Sequence, residues 1–133
     1  MSIVEKIKKI EKLYHTTGCS ETQITDAENA LGIKFPEEYV AYIKAYGAIS
    51  FYATEWTGLN VEGYLNVVDV TKQEQDLNPS FPKKCFVLEN QGIDGILTVM
   101  NENGQVFTVQ YEKTQLLCDS LSDYLDMCIA RKK

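Results

Sequence analysis

The stretch ITDAENALGIKFPEEYVAYIKAYGA, residues 24–48, constrains this chain more than any other. It holds two helix starts and two helix stops within 25 positions. Thr25 and Glu28 have the spacing of a capping box, in which Thr25 accepts from the Glu28 amide while Glu28 reaches back. The spacing predicts a short helix of under two turns, closed by Gly32 in left-handed backbone. Asp26 and Glu28 suit the positive end of its dipole. Pro36 fits the first position of the next helix, which has no amide to lose there. Glu37 and Glu38 follow in its first turn. Tyr39, Tyr42, Ile43 and Tyr46 mark an inward face, and Gly47 ends the helix, giving a span of about 36–46. Nothing in the stretch is a nucleophile, a metal cluster or a phosphate loop. It reads as architecture.

The flanks change period. Ile3, Ile7, Ile10 and Tyr14, widened by Val4 and Leu13, predict an amphipathic helix over 3–14, broken at Gly18. After Gly47 the segment ISFYATEW is rich in β-branched and aromatic residues and predicts one strand. DVTKQEQDL predicts a short helix with Thr71 as its cap, ended by Asn78-Pro79 and Pro82. KCFVLEN, GILTVM and QVFTVQY read as strands, the last two joined through Asn103-Gly104, a strong hairpin signal. SLSDYLDMCIARKK predicts a closing helix capped by Ser120. Its stripe is Leu121, Tyr124, Leu125 and Cys128, and its cationic end opposes the negative pole of the dipole. Helices, then an antiparallel meander, then a helix make an α+β chain, one domain over residues 1–133.

Charge, hydropathy and cysteine usage narrow the classes together. Residues 14–130 hold six lysines against 17 acids, a balance of −11 within a total of −6. A body this acidic is expected to repel nucleic acid and anionic membrane and to attract basic partners, but acids also serve simply to keep a surface soluble, so charge alone decides no class. No apolar run approaches the roughly 18 residues that a membrane span needs. The N-terminus MSIVEKIKKIEKLY mixes charge with apolar residues, unlike a signal peptide, so the expected residence is the cytoplasm. Cys19, Cys85, Cys118 and Cys128 form no C-x-x-C pair. With His15 as the single histidine they offer no zinc site and read as free thiols. Asp94, between Gly92 and Gly95, is a lone carboxylate in a turn without a partner group. Ser20 and Ser50 lack a nucleophile-elbow context, and GIDG forms no phosphate loop. The expectation is no catalytic residue, no metal and no cofactor.

A resemblance becomes specific at this point. Ile24, Glu28, Leu31, Gly32, Phe35, Pro36, Glu37, Glu38, Tyr39, Tyr46 and Gly47 resemble the signature of the SUKH superfamily, known also through fungal regulators of cell-wall synthesis. That signature is an acidic short helix ending in leucine-glycine, an apolar residue, a proline, two acids and an aromatic, then a helix closing on glycine. The similarity extends through VVDV, CFVLENQGIDGILTVM and GQVFTVQY to SLSDYLDMCIA. Ala48 stands where the family often has a second glycine, and QGIDG matches its glycine-and-acid turn loosely. The resemblance implies a scaffold in which Leu31, Gly32, Phe35, Pro36, Tyr39 and Gly47 set the joint between two helices. It implies no shared catalytic constellation. Bacterial members are similar in role to immunity proteins that bind a toxin, often a nuclease, and block it; fungal members act as regulatory scaffolds.

The expected activity is therefore binding. The partner is a basic toxin domain met by occlusion, or, as the alternative, a host protein bound by a regulatory adaptor. Tyr52, Glu55, Trp56, Glu62 and Asp94 are the candidate partner-binding residues. Trp56 is either an exposed anchor ringed by acids or a plug beneath the helices. Alternation along one strand places Tyr52, Thr54 and Trp56 on one face and Phe51, Ala53 and Glu55 on the other, so Tyr52 and Trp56 share one fate. Either outcome leaves Glu55, Glu62 and Asp94 usable.

Overall fold

The structure is a computed structural model describing residues 1–131; Lys132 and Lys133, part of the expected cationic helix end, lie outside the described residues. The chain runs α1 (Ile3–Lys8), β1 (Tyr14–His15), α2 (Glu21–Leu31), α3 (Glu37–Tyr46), β2 (Ile49–Phe51) and β3 (Thr54–Trp56). A 3-10 turn at Gly63–Leu65 leads into α4 (Val67–Leu77), β4 (Cys85–Asn90), β5 (Ile96–Asn101), β6 (Val106–Gln110), β7 (Lys113–Cys118) and α5 (Leu121–Ile129). Two antiparallel sheets form, ordered β1-β2-β3 and β4-β5-β6-β7. The class is α+β, with the C-terminal helix expected from the sequence.

Several boundaries differ from expectation, each for a local reason. The first helix is six residues long and does not extend over 3–14. Ile3, Ile7 and Ile10 are buried as the stripe requires, but Lys12 turns the chain at φ 58. Tyr14 then pairs with Ser50 as an exposed residue of β1. The capping box of α2 is Ser20–Gln23, one turn before Thr25–Glu28, so this helix runs 11 residues. Glu28 is freed from capping and accepts from the Phe35 amide at 2.8 Å, tying the two helices across their joint. Gly32 closes α2 at φ 65, ψ 34, in the left-handed region expected of it. Pro36 is the residue before α3, extended at ψ 156, and does not start the helix itself. Asn66 caps α4 by accepting from the amides of Val68 and Asp69. Thr71, expected as that cap, is buried inside the helix, where its hydroxyl accepts from the Val87 amide at 3.0 Å.

Gly47 and Gly58 explain how tightly the end of α3 packs against the loops before α2 and after β3. Gly47 lies at φ 76, and a Cβ there would stand 2.3 Å from the Thr17 carbonyl oxygen. At Gly58 a Cβ would stand 1.6 Å from the Gly47 carbonyl oxygen. Only glycine lets these backbones approach so closely.

The segment ISFYATEW is a hairpin and not one strand. Phe51 pairs with Thr54 across a two-residue turn, Tyr52-Ala53, with Tyr52 at φ 49. The turn resets the alternation, so Phe51, Thr54 and Trp56 are buried while Tyr52 and Glu55 are exposed. β5 and β6 join through Glu102-Asn103-Gly104 with Gly104 at φ 86, the hairpin that Asn103-Gly104 signals. β7 was not foreseen: as an edge strand it exposes Lys113 through Leu116, and KTQLLC carries no alternation to reveal it. In α5, Ser120 accepts from the Asp123 amide, and Leu121, Tyr124, Leu125 and Cys128 are all buried.

One core spans the molecule from Ile3 to Cys128. Trp56 is its centre, edge-on to Tyr42 at 5.3 Å and stacked on Tyr124 at 6.1 Å. Tyr39 and Tyr42 bury their rings and spend their hydroxyls on Thr57: Tyr39 on its side chain at 2.9 Å, Tyr42 on its carbonyl at 2.8 Å. Thr57 then donates to the Val87 carbonyl at 2.8 Å, which carries the order of the three-stranded sheet into the four-stranded one. A satisfied buried hydroxyl keeps the roughly 1–3 kcal/mol that an unpaired one costs. A second, smaller core of Val70, Phe81, Val87, Leu97, Val99 and Val109 lies on the opposite face of the four-stranded sheet under α4.

Candidate functional site

Two clusters of carboxylate chemistry stand out, and they differ in access. The first is buried. A bulge between Val87 and Glu89 breaks the β4 register, and Glu89 is 2% exposed. Its carboxylate accepts from the Tyr124 hydroxyl and from Arg131 Nη1 at 2.8 Å. Arg131, just past the end of α5, also donates to Thr54 Oγ1 at 2.9 Å and to the Tyr124 hydroxyl at 3.2 Å. The Tyr124 hydroxyl shares a 3.1 Å hydrogen bond with Thr98 Oγ1. Burial pushes the Tyr124 phenol up, with Cys128 and Glu89 adding to it. Burial pushes the Cys128 thiol up to about 11, with Glu89 adding and Arg131 opposing. For Arg131 burial pulls the guanidinium down, but the Glu89 hydrogen bond and the neighbouring Cys128 and Glu89 raise it on balance. These bonds engage both carboxylate oxygens of Glu89 and fasten α5 to both sheets.

The second cluster is open. A groove of about 750 Å³ runs between α2, α4 and the loop before α4. Its charged lining residues are Asp26, Glu62 and Asp69, all acidic, above an apolar floor that includes Ala27, Leu59 and Val68. None of the three carboxylates takes part in an ion pair among the described residues. The loop wall is held at both ends. The Asn60 side chain donates to the Thr17 carbonyl at 3.3 Å, and the Asn66 side chain donates to the Val61 carbonyl at 3.0 Å. The groove is thus already formed without a partner.

The sequence-derived candidates separate on this framework. Glu62 lines the groove. Glu55 is exposed on β3, where it accepts from the Tyr64 hydroxyl at 2.8 Å. Tyr52 is at the hairpin turn, on the exposed side of the sheet. Asp94 lies in the exposed turn after β4 at φ 51, its carbonyl accepting from the Gln110 side chain at 3.0 Å. Trp56 is 0% exposed and offers no surface to a partner. The expectation that Tyr52 and Trp56 share one fate fails because the Tyr52-Ala53 turn inverts their faces. The exposed aromatic beside Glu55 is instead Tyr64, 69% exposed, on the short turn between Glu62 and Asn66. The Glu55 hydrogen bond and charge raise its phenol.

Sequence reasoning missed Tyr64 as the exposed partner of Glu55, and missed Asp26 and Asp69 as neighbours across one groove because no local pattern joins α2 to α4. It also missed Glu89, although one acid inside the apolar run CFVLEN is a signal that something buried must pair with it. Among the described residues no group of three or more His, Cys, Asp or Glu side chains is placed to hold a metal ion, and no helix is long and apolar enough to cross a membrane.

A comparison with curated proteins finds no match. A family model, SUKH_5, described as SMI1-KNR4 cell-wall, matches residues 1–130. That match covers the helix joint, both sheets and α5, and the chain belongs to the SUKH_5 (SMI1-KNR4) family.

Proposed function

We propose that residues 1–133 form one SUKH-like domain acting in the cytoplasm as a non-catalytic immunity protein, which binds a basic, nuclease-type toxin domain and blocks it by occlusion. The observation carrying this reading is the preformed groove whose charged lining groups are Asp26, Glu62 and Asp69, none of them in an ion pair among the described residues. Unpaired carboxylates cost little where water reaches them and gain most when a cation arrives. A complementary field raises association rates by 10–10³ and falls with salt. Glu55 and Tyr64 extend the acidic face beyond the loop, with Tyr64 as the aromatic anchor expected of an interface hot spot. Tyr52 and Asp94 are peripheral to this face in the proposal.

The test is a tagged pull-down at low salt, washed again at high salt, with the bound proteins identified. A basic toxin domain released by salt is the expected result. The triple variant Asp26→Lys, Glu62→Lys, Asp69→Lys is expected to lose that partner and its protection of cells. The cell-wall description of the family favours one alternative, a regulatory adaptor. A housekeeping partner held at both salt concentrations, with its activity unchanged or stimulated, would replace the immunity reading with that one.

A further inference from the structure

The opposite end of α4 carries a different surface. Leu77, the last residue of the helix, is 69% exposed, and Tyr111, at the β6–β7 turn, is 64% exposed. Both line one groove of about 410 Å³ whose floor is Leu97 and Val109 of the sheet and whose wall includes Pro79. Two large apolar side chains exposed side by side over an apolar floor mark a contact surface more than an accident of solubility.

Tyr111 opens the two-residue turn between β6 and β7, where Gln110 pairs with Lys113, and its φ of 56 is what such a turn requires. The turn presents the Tyr111 side chain to water, while its backbone and ring are both held in place. The Asn78 side chain donates to the Tyr111 carbonyl at 2.8 Å, and Gly95 lies so close that a Cβ there would stand 3.2 Å from the ring. The charged residues lining the groove are Glu74 and Glu112, both acidic.

We infer that the Leu77–Tyr111 groove is a second docking point, which takes an apolar side chain borne on a basic segment of a partner protein. The apolar side chain seats on Leu97 and Val109 between Leu77 and the Tyr111 ring, and flanking lysines or arginines meet Glu74 and Glu112. The groove is separate from the acidic one: Asp69 and Leu77 lie eight residues apart on α4, roughly 12 Å along its axis. The inference therefore stands whether or not the partner of the acidic groove is a toxin.

The probes are three capped hexapeptides, Lys-Lys-Leu-Phe-Lys-Lys, Glu-Glu-Leu-Phe-Glu-Glu and Lys-Lys-Ser-Ser-Lys-Lys, titrated into the full chain and followed by amide shifts in two-dimensional NMR. The first is expected to move Leu77, Gly95, Leu97 and Tyr111 in a saturable way, and each of the others to bind roughly tenfold more weakly, the loss of one buried apolar side chain or of its ion pairs. Leu77→Ser and Tyr111→Gly are each expected to weaken the first peptide by a similar factor. Glycine suits the backbone at 111, so that variant removes the ring without a folding penalty. Asp26→Lys with Glu62→Lys leaves this binding unchanged. Equal binding of the serine peptide, shifts centred on the acidic groove, or indifference to Leu77→Ser and Tyr111→Gly would overturn the inference.

Discussion

The Glu89 centre and the Asp26–Glu62–Asp69 groove use the same functional group for opposite ends. In the first, a carboxylate is taken out of water and every oxygen is engaged by Tyr124 or Arg131. In the second, three carboxylates line an open groove and none of them makes an ion pair among the described residues. A buried charge is stable only while its partners stay, so that cluster is committed to holding the fold together. A hydrated charge is cheap to leave unpaired and remains available to a partner. Access to water, not residue type, separates structural from binding chemistry in this protein.

The comparison breaks most visibly at Arg131. Arg131→Ala strands Glu89 inside the protein and is expected to cost about 3 kcal/mol in urea unfolding, at the low end of the usual penalty because the Arg131 side chain keeps 27% of its surface in water. Glu89→Gln together with Arg131→Met removes both charges and should recover more than half of that loss. A double variant as unstable as Arg131→Ala would show that the pairing is not what matters.

The buried centre also has an alkaline window that the groove lacks. The Cys128 thiol is pushed up from its ordinary value of 9.0 to about 11. As pH rises, the unfolded chain gives up this proton first and the folded chain keeps it. Stability therefore falls between about pH 9 and pH 11, by up to about 1.4 kcal/mol per pH unit. Cys128→Ala should make that part of the profile of unfolding free energy against pH shallower, leaving the share that belongs to Cys85 and the buried tyrosines. An unchanged slope would remove Cys128 from the account.

The smallest effect sharpens the other side. Neutralising the groove with Asp26→Asn, Glu62→Gln and Asp69→Asn should leave unfolding free energy within about 0.5 kcal/mol of the parent. The same change should weaken the salt dependence of partner association, with the remainder belonging to Glu55 and the rest of the acidic body. Calorimetry that finds these variants markedly less stable would mean the groove carboxylates hold the fold, and the contrast with Glu89 would disappear.

Much of the frame was legible because its signals are local. Gly32, Gly47 and Ser120 end or begin helices through bonds to residues three or four positions away, and the stripe of α5 repeats at helical spacing. Legibility failed where two local signals competed. Ser20–Gln23 and Thr25–Glu28 both have box spacing, and Glu28 was drawn away by the Phe35 amide. It failed again at Tyr52-Ala53, where a tight turn without glycine interrupts what reads as one strand.

The sequence by itself determined the α+β class, the helix ends on either side of Pro36 and an acidic body, since each follows from composition or from contacts within a few residues, and its motifs carried the family resemblance that the family model bears out. Only the tertiary structure decided that Trp56 is core and Tyr64 surface, that Glu89 meets Arg131 from 42 positions away, and that Asp26 and Asp69 face one groove. The reason is physical. Burial and the pairing of charges are set by which distant segments pack together, and a one-residue change of register at a turn or bulge sends a side chain to the opposite face of its sheet.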